Sequence, residues 1–169
     1  MKIHVHELNT SGASRTIRET LDVSALFKGR RDVLSAGPLH VDLKARGVQE
    51  EMAVVEGTLS IEVTMPCSRC LKPVRVSVEA PFLEHFKVGS APQTGEEADL
   101  FIAVPDNEVD LTPYVEEAVQ LELPLVPLCA EDCKGLCPEC GTDLNEGECG
   151  CDRTPVDPRL AALKDLFPS

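Results

Sequence analysis

The 169-residue sequence contains no tryptophan, one tyrosine and five phenylalanines, so platforms for stacking unpaired bases are poorly supplied. Positive charge is scarce as well: 16 Lys and Arg stand against 29 Asp and Glu, for a formal net charge of −13. Affinity for a phosphate backbone comes mainly from basic side chains that displace counterions, which argues against broad, sequence-independent binding to nucleic acid. A basic protein partner suits the chain better, although acidic excess is also an ordinary means of staying soluble. No stretch approaches the roughly 18 consecutive apolar residues of a membrane span. Residues 1–5 carry a single Lys and no apolar leader core, so a soluble, unexported, cytoplasmic protein is expected. No GxSxG elbow, P-loop or paired-glycine phosphate cradle occurs, and no enzymatic activity is expected. Residues 1–66 have no cysteine at all.

What the chain does have is cysteine in its second half, eight in total with six of them between positions 129 and 151. A secreted disulfide scaffold would spread its cysteines more evenly, and in a reducing compartment such spacing is better explained by thiolates on a metal. The series runs Cys67-x2-Cys70, Cys129-x3-Cys133-x3-Cys137-x2-Cys140 and Cys149-Gly150-Cys151. Zinc accepts four thiolates tetrahedrally, and a two-residue spacing lets a tight turn aim two sulfurs at one ion. Eight thiols therefore divide into two sets, implying two Zn2+ per chain: Cys67, Cys70, Cys129 and Cys133 as one site, and Cys137, Cys140, Cys149 and Cys151 as the other. In CPECG, Pro138 sets a turn dihedral and Gly141 permits the left-handed geometry after the second ligand. The one-residue spacing of Cys149 and Cys151 is less common and leaves open that one of them is free.

Other chemistries fit these cysteines less well. A redox CxxC needs a thiolate at a helix N-terminus near a βαβ pattern, whereas Cys67 and Cys70 follow one extended run and precede another. Cys133-x3-Cys137-Pro138 echoes the end of a ferredoxin motif, but the upstream pair of two-residue spacings is missing. All-cysteine zinc sets are closed, unlike catalytic zinc, which keeps an open position.

From 39 to 88 the chain alternates apolar residues with period two, through Val41, Leu43 and Ala45, then Val54, then Leu59, Ile61 and Val63, as half-buried strands do. Gly47 and Gly57 punctuate these runs where turns or bulges are expected. Alternation resumes at Val74, Val76 and Val78, which puts Cys67 and Cys70 at a hairpin tip, projecting from a sheet end where a second segment can reach them. The stretch 90–97 reads as an exposed loop. A helix is expected from Asp110, with Leu111, Tyr114, Val115, Ala118, Val119 and Leu121 on one arc, ending by Pro124. The prolines of ELPLVPL then keep the chain extended up to Cys129. Residues 157–167 have an Asp cap, Pro158 at the first helical position, and Leu160, Leu163 and Phe167 at helical spacing, a short amphipathic tail.

The rest of the chain offers little chemistry. His4 and His6 fall on one face of an expected first strand, with nothing nearby to complete a metal site. Lys28, Arg30 and Arg31, with Arg15 and Arg18, are the one basic concentration, either a local contact for phosphate or an acidic surface, or a solvated face. The expected fold is α+β: an antiparallel β-sheet core with one packed amphipathic helix over residues 1–128, and a zinc-stapled cysteine-rich segment over 129–169 ending in a short helix.

With these blocks laid out, TMPCSRCLKPV, VDLTPYVEEAVQLELPLVPLC and CKGLCPECGTDLNEGECGC, the sequence resembles the YceD family of bacterial large ribosomal RNA subunit accumulation proteins. The resemblance covers most of the chain. It implies a cytoplasmic, non-enzymatic role in ribosome biogenesis, with ribosomal RNA, a ribosomal protein or a large-subunit assembly factor as partner. Members differ in the second cysteine block, so metal on Cys137, Cys140, Cys149 and Cys151 rests on this sequence's own spacing. The rival function is a redox- or metal-responsive regulator that uses its CxxC pairs.

Overall fold

The computed structural model of the chain describes residues 1–12, 14–49, 51–89 and 101–151. The loop expected at 90–97 and the tail helix expected at 157–167 lie outside the described residues. Strand β1 (Lys2–His4) runs directly into helix α1 (Val5–Ser11), followed by β2 (Arg15–Leu21), a 3-10 turn (Ser24–Phe27), β3 (Ser35–Ala36) and β4 (Leu39–Gln49). Then come β5 (Met52–Pro66), β6 (Pro73–Val88), β7 (Ile102–Val104), β8 (Glu108–Asp110) and helix α2 (Thr112–Leu121).

The main sheet has the order β2-β4-β5-β6-β7, with β3 also pairing to β5. Its neighbours are antiparallel except β7, which runs parallel to the last residues of β6. The α+β architecture with a mainly antiparallel sheet thus follows from the period-two pattern between 39 and 88. Leu39, Val41, Leu43 and Ala45 of β4 face the same core as Val55, Leu59, Ile61 and Val63 of β5 and Val78, Ala80, Phe82 and Phe86 of β6. Each Val, Leu, Ile or Phe among them contributes about 1.5–3 kcal/mol when fully buried. Helix α2 covers this face: Val115 and Val119 are buried, and Tyr114 meets Phe86 edge-on with ring centroids 5.0 Å apart.

β5 and β6 form a hairpin paired from Met52↔Lys87 to Pro66↔Pro73. At about 3.4 Å per residue it is roughly 50 Å long. It delivers the first cysteine pair to the far end of the sheet.

Four local expectations are corrected. Gly57 marks no turn but sits inside β5, where a Cβ would lie 2.1 Å from the Asp42 carbonyl of β4; only glycine tolerates that approach. Gly47 does sit at an irregularity, beside the register shift between β4 and β5. Helix α2 starts at Thr112, because Asp110 is still paired to Lys2 in the small β1-β8 sheet and turns the chain by accepting the Thr112 amide (3.0 Å). Leu121 lies 78% exposed at the helix end, and Leu123, beyond the helix, takes the core position instead. His4 and His6 share no strand: β1 ends at His4, and His6 belongs to α1, which buries Val5 and Leu8 and stops at Gly12 with φ 59°.

Candidate metal centre

Pro66 and Pro73 are the last paired residues of the long hairpin, so 67–72 makes the whole connection. Two hydrogen bonds close it: the Cys67 amide donates to the Lys72 carbonyl (2.8 Å) and the Leu71 amide to the Cys67 carbonyl (2.9 Å). Closing so tight a loop drives Leu71 into the left-handed region, φ 62°. The chain after α2 wraps this tip. The Ser68 amide donates to the Pro127 carbonyl (2.8 Å), the Leu136 amide to the Arg69 carbonyl (3.1 Å), and the Arg69 guanidinium to the carbonyls of Glu131 (3.1 Å) and Cys133 (2.7 Å). Gly135 makes that wrapping possible, because a Cβ there would lie 2.9 Å from the Arg69 carbonyl.

Wrapping brings Cys129 and Cys133 onto Cys67 and Cys70. The Sγ atoms of Cys67 and Cys133 are 3.9 Å apart, and those of Cys70 and Cys129 3.6 Å. Four sulfurs placed tetrahedrally at about 2.3 Å from one ion stand about 3.8 Å from each other. Disulfide sulfurs are about 2.05 Å apart, and the four thiolates of an iron–sulfur cluster are divided among two or four irons, so they do not all lie within 4.8 Å of one another as these four do. The spacing fits one mononuclear ion. Cys67 and Cys70 do not project into solvent: they are 0% and 4% exposed, because the segment expected to reach them already covers them, with Val74, Leu128 and Leu136 packed around.

The second pair repeats the turn. The Cys137 amide donates to the Thr142 carbonyl (2.8 Å), the Gly141 amide to the Cys137 carbonyl (2.9 Å), and Leu136 bridges Asp143 as a one-rung hairpin. Gly141 takes φ 74°. Cys149 and Cys151 return to this turn, so that the ligand atoms of Cys137, Cys140, Cys149 and Cys151 lie within 4.8 Å of one another, as do those of the first four. Two groups of four cysteines, each able to hold a metal ion, are therefore present.

The thiols are electrostatically prepared in the same way in both sets. Cys67 is lowered to about 6, first by the Cys70 amide donating to its sulfur and then, against burial, by the amides of Arg69 and Cys129. Cys140 is lowered to about 6 by the Thr142 hydroxyl and amide. The opposite members are pushed up to about 12, Cys129 by Cys133 and Cys70, and Cys151 by Cys140 first. A second negative charge beside the first is unfavourable until a cation stands between them.

Several residues that hold the centre were invisible in the spacing. Lys72 ion-pairs with Asp143 and Glu146, both at 2.7 Å, and Asn145 donates to the Cys133 sulfur (3.5 Å). Polar residues just after a CxxC, Lys72 in CLK and Asp143 in CGTD, are the one signal from which this ion pair could be found. Of the basic run, Arg30 is taken by Asp32 and by the Phe27 ring, and Arg18 by Asp42. His4 lies 3.7 Å from Glu108, and among the described residues neither His4 nor His6 joins a group able to hold a metal.

Comparison with known proteins gives the following matches. The family described as large ribosomal RNA subunit accumulation protein YceD matches residues 55–167, which include all eight cysteines. An uncharacterized protein of Mycobacterium tuberculosis is 39% identical over 76% of this chain and 62% of its own length. The protein YlbN of Bacillus subtilis is 32% identical over 88% of this chain and 86% of its own. A chloroplastic large ribosomal RNA subunit accumulation protein of Arabidopsis thaliana, YCED homolog 1, is 24% identical over 82% of this chain and 51% of its own. The chain thus spans about 62% of the mycobacterial relatives it matches. No solved structure matches it significantly.

Proposed function

The chain belongs to the YceD family, and from that premise we propose that it is a non-enzymatic zinc protein that supports the accumulation of large-subunit ribosomal RNA in the cytoplasm. The observation that carries the zinc reading is the pair of four-thiol groups whose sulfur separations, 3.6 and 3.9 Å in the first, suit a tetrahedral ion. All-thiolate donors favour zinc over harder cations, and closed tetrathiolate sets suit a structural role. The ribosomal reading is supported by the family's description. With a net charge of −13, the partner that suits the chain is a basic protein of the assembling subunit rather than bare RNA. Among the described residues no helix is long and apolar enough to cross a membrane.

Metal analysis with thiol titration tests the first part. Two tightly held zinc ions per chain and no reactive thiols are expected. Exchangeable disulfides in place of zinc would instead favour a redox-responsive regulator, and visible absorption an iron–sulfur protein. Depletion tests the second: loss of large-subunit RNA and of mature large subunits is expected, and normal subunit profiles in depleted cells would refute it. Affinity capture before and after nuclease treatment then distinguishes a protein partner, retained after nuclease, from an RNA-dependent one.

A further inference from the structure

The loop that closes the second thiol set also supports the first. Between Cys140 and Cys149 the chain makes a turn in which Asp143 Oδ1 accepts the Asn145 amide (2.9 Å) and its side-chain amide (2.7 Å). The Asn145 side chain then spans toward the first set: its Oδ1 accepts the Lys134 amide (2.8 Å) and its Nδ2 donates to Cys133 Sγ (3.5 Å). The orientation is determined, because a backbone amide can only donate, so the carboxamide oxygen must face Lys134 and the nitrogen the sulfur. A second tie lies beside it, since Lys72, two residues after Cys70, reaches Asp143 and Glu146 on the same turn. The Leu144 amide adds a third by donating to the Gly135 carbonyl (2.9 Å), within the segment that wraps the hairpin tip.

We infer that Asn145 is a positioning residue for the Cys133 thiolate, and that through it metal in the second thiol set strengthens metal binding in the first. The inference rests on the zinc reading above. A tetrathiolate zinc centre carries excess negative charge, and N–H groups that donate to its sulfurs disperse it and fix ligand orientation; loss of one such outer contact costs about 10–100-fold in metal affinity. The turn at 143–146 is polar and closed at both ends by cysteines of the second set. With those ligands unengaged, only the turn's own hydrogen bonds and the Lys72 and Leu144 ties are left to hold Asn145 against Cys133. Ordering the turn by the second ion therefore raises affinity at the first, and by linkage the effect is reciprocal.

The test uses the full chain and Zn2+ or Co2+ alone, with first-site affinity read by competition against a chromogenic chelator. Asn145→Ala is expected to weaken the first site about 10-fold. Cys149→Ser with Cys151→Ser, which disables the second set, should weaken the first site to a similar degree. Adding Asn145→Ala to that background should have little further effect, because the contact is already lost. Asn145→Asp separates positioning from plain loop support: it keeps the acceptor for the Lys134 amide but loses the donor to sulfur. It should lose at least as much affinity as Ala and move the sulfur-to-cobalt charge-transfer band to lower energy. First-site affinity within twofold of wild type after removal of Cys149 and Cys151, or full affinity in Asn145→Asp, would overturn the inference. Failure of the wild-type chain to bind either metal would instead overturn the zinc reading itself. Circular dichroism melting of each variant shows whether the sheet core remains folded.

Discussion

The two CxxC turns have one backbone and two fates. In each, the first cysteine's amide donates to the carbonyl five residues on and its carbonyl accepts the amide four residues on, at 2.8 and 2.9 Å in both, and in each the residue after the second cysteine adopts positive φ, 62° at Leu71 and 74° at Gly141. The surroundings differ completely. The first turn crowns a hairpin of 15- and 16-residue strands, and a segment from the far side of α2 buries its two cysteines. The second stands on a single rung between Leu136 and Asp143, with Cys140 exposed. The turn is thus a local property of C-x-x-C. What each site stabilises is decided by what it clips together: the first joins elements far apart in sequence, Cys70 and Cys129 being separated by 59 residues and Cys67 and Cys133 by 66, and the second closes a short loop. Closing a long loop constrains the unfolded chain more than closing a short one.

The largest effect should therefore come from the first site. Cys67→Ser removes one ligand and the acceptor for the amides of Arg69 and Cys129. Structural zinc supplies roughly 10–16 kcal/mol in finger peptides, and loss of even about 3 kcal/mol of that lowers Tm by about 6–12 °C in a chain of this size. Calorimetry with metal analysis checks it; unchanged Tm and two retained ions would mean that the first set does not bridge hairpin and tail. Next in size is Gly135→Ala. It leaves every ligand in place but puts a Cβ 2.9 Å from the Arg69 carbonyl at φ 78°. Left-handed strain of about 1–2 kcal/mol plus the clash should lower Tm by about 5 °C or more, with metal preferentially lost from the first site, whereas Gly147→Ala, with nothing within 4 Å of its added Cβ, should leave Tm unchanged.

The sheet was legible in the sequence because burial of one face leaves a period-two trace, as in Val41-Asp42-Leu43-Lys44-Ala45. The hairpin tip was legible because the period-two alternation stops before CSRC and resumes at Val74, Val76 and Val78. What escaped depends on tertiary contact. α1 buries only Val5 and Leu8, too few to show a helical period, while His4 and His6 mimic a strand's alternation. Gly57 looks like punctuation in sequence, yet its reason is the Asp42 carbonyl across the sheet. Leu121 completes an apolar arc on paper but projects past the last turn that faces the core. For the cysteines, spacing suggested the sets, but the residues that hold them in place, Arg69, Lys72 and Asn145, are polar surface types whose role exists only once the tail lies across the tip.

Disabling the second site sharpens the comparison from the other side. Cys149→Ser with Cys151→Ser should cost half the bound metal but little of the core. A 10-fold weakening at the first site corresponds to about 1.4 kcal/mol, so melting of the sheet should fall by only about 3–5 °C. A fall as large as that of Cys67→Ser would make the sites energetic equals and end the distinction between bridge and local clip. Adding Lys72→Met to that pair should cost little more, since its partners Asp143 and Glu146 sit on the turn already released.

The smallest expected effect concerns the one position where the twin turns differ in backbone chemistry. Leu71 holds φ 62° with a Cβ, while Gly141 holds φ 74° without one. For a leucine that conformation costs about 1–2 kcal/mol, and its side chain is 63% exposed, so burial returns little of it. Leu71→Gly removes the strain but adds the freedom of glycine to the unfolded chain, worth about 0.5–1 kcal/mol in the opposite sense. The balance is a gain of about 0.5–1 kcal/mol, a rise of about 1–3 °C in Tm, with metal affinity unchanged. The reciprocal Gly141→Leu should weaken the second site several-fold and leave the first nearly intact. A loss of stability in Leu71→Gly would give the leucine side chain a task that the turn itself does not require. Its place is already marked, because Leu71 lines a cavity of about 220 Å³ with Pro124, Leu125 and Pro127, beside the first thiol set. The turn would then be strained in order to hold that side chain there.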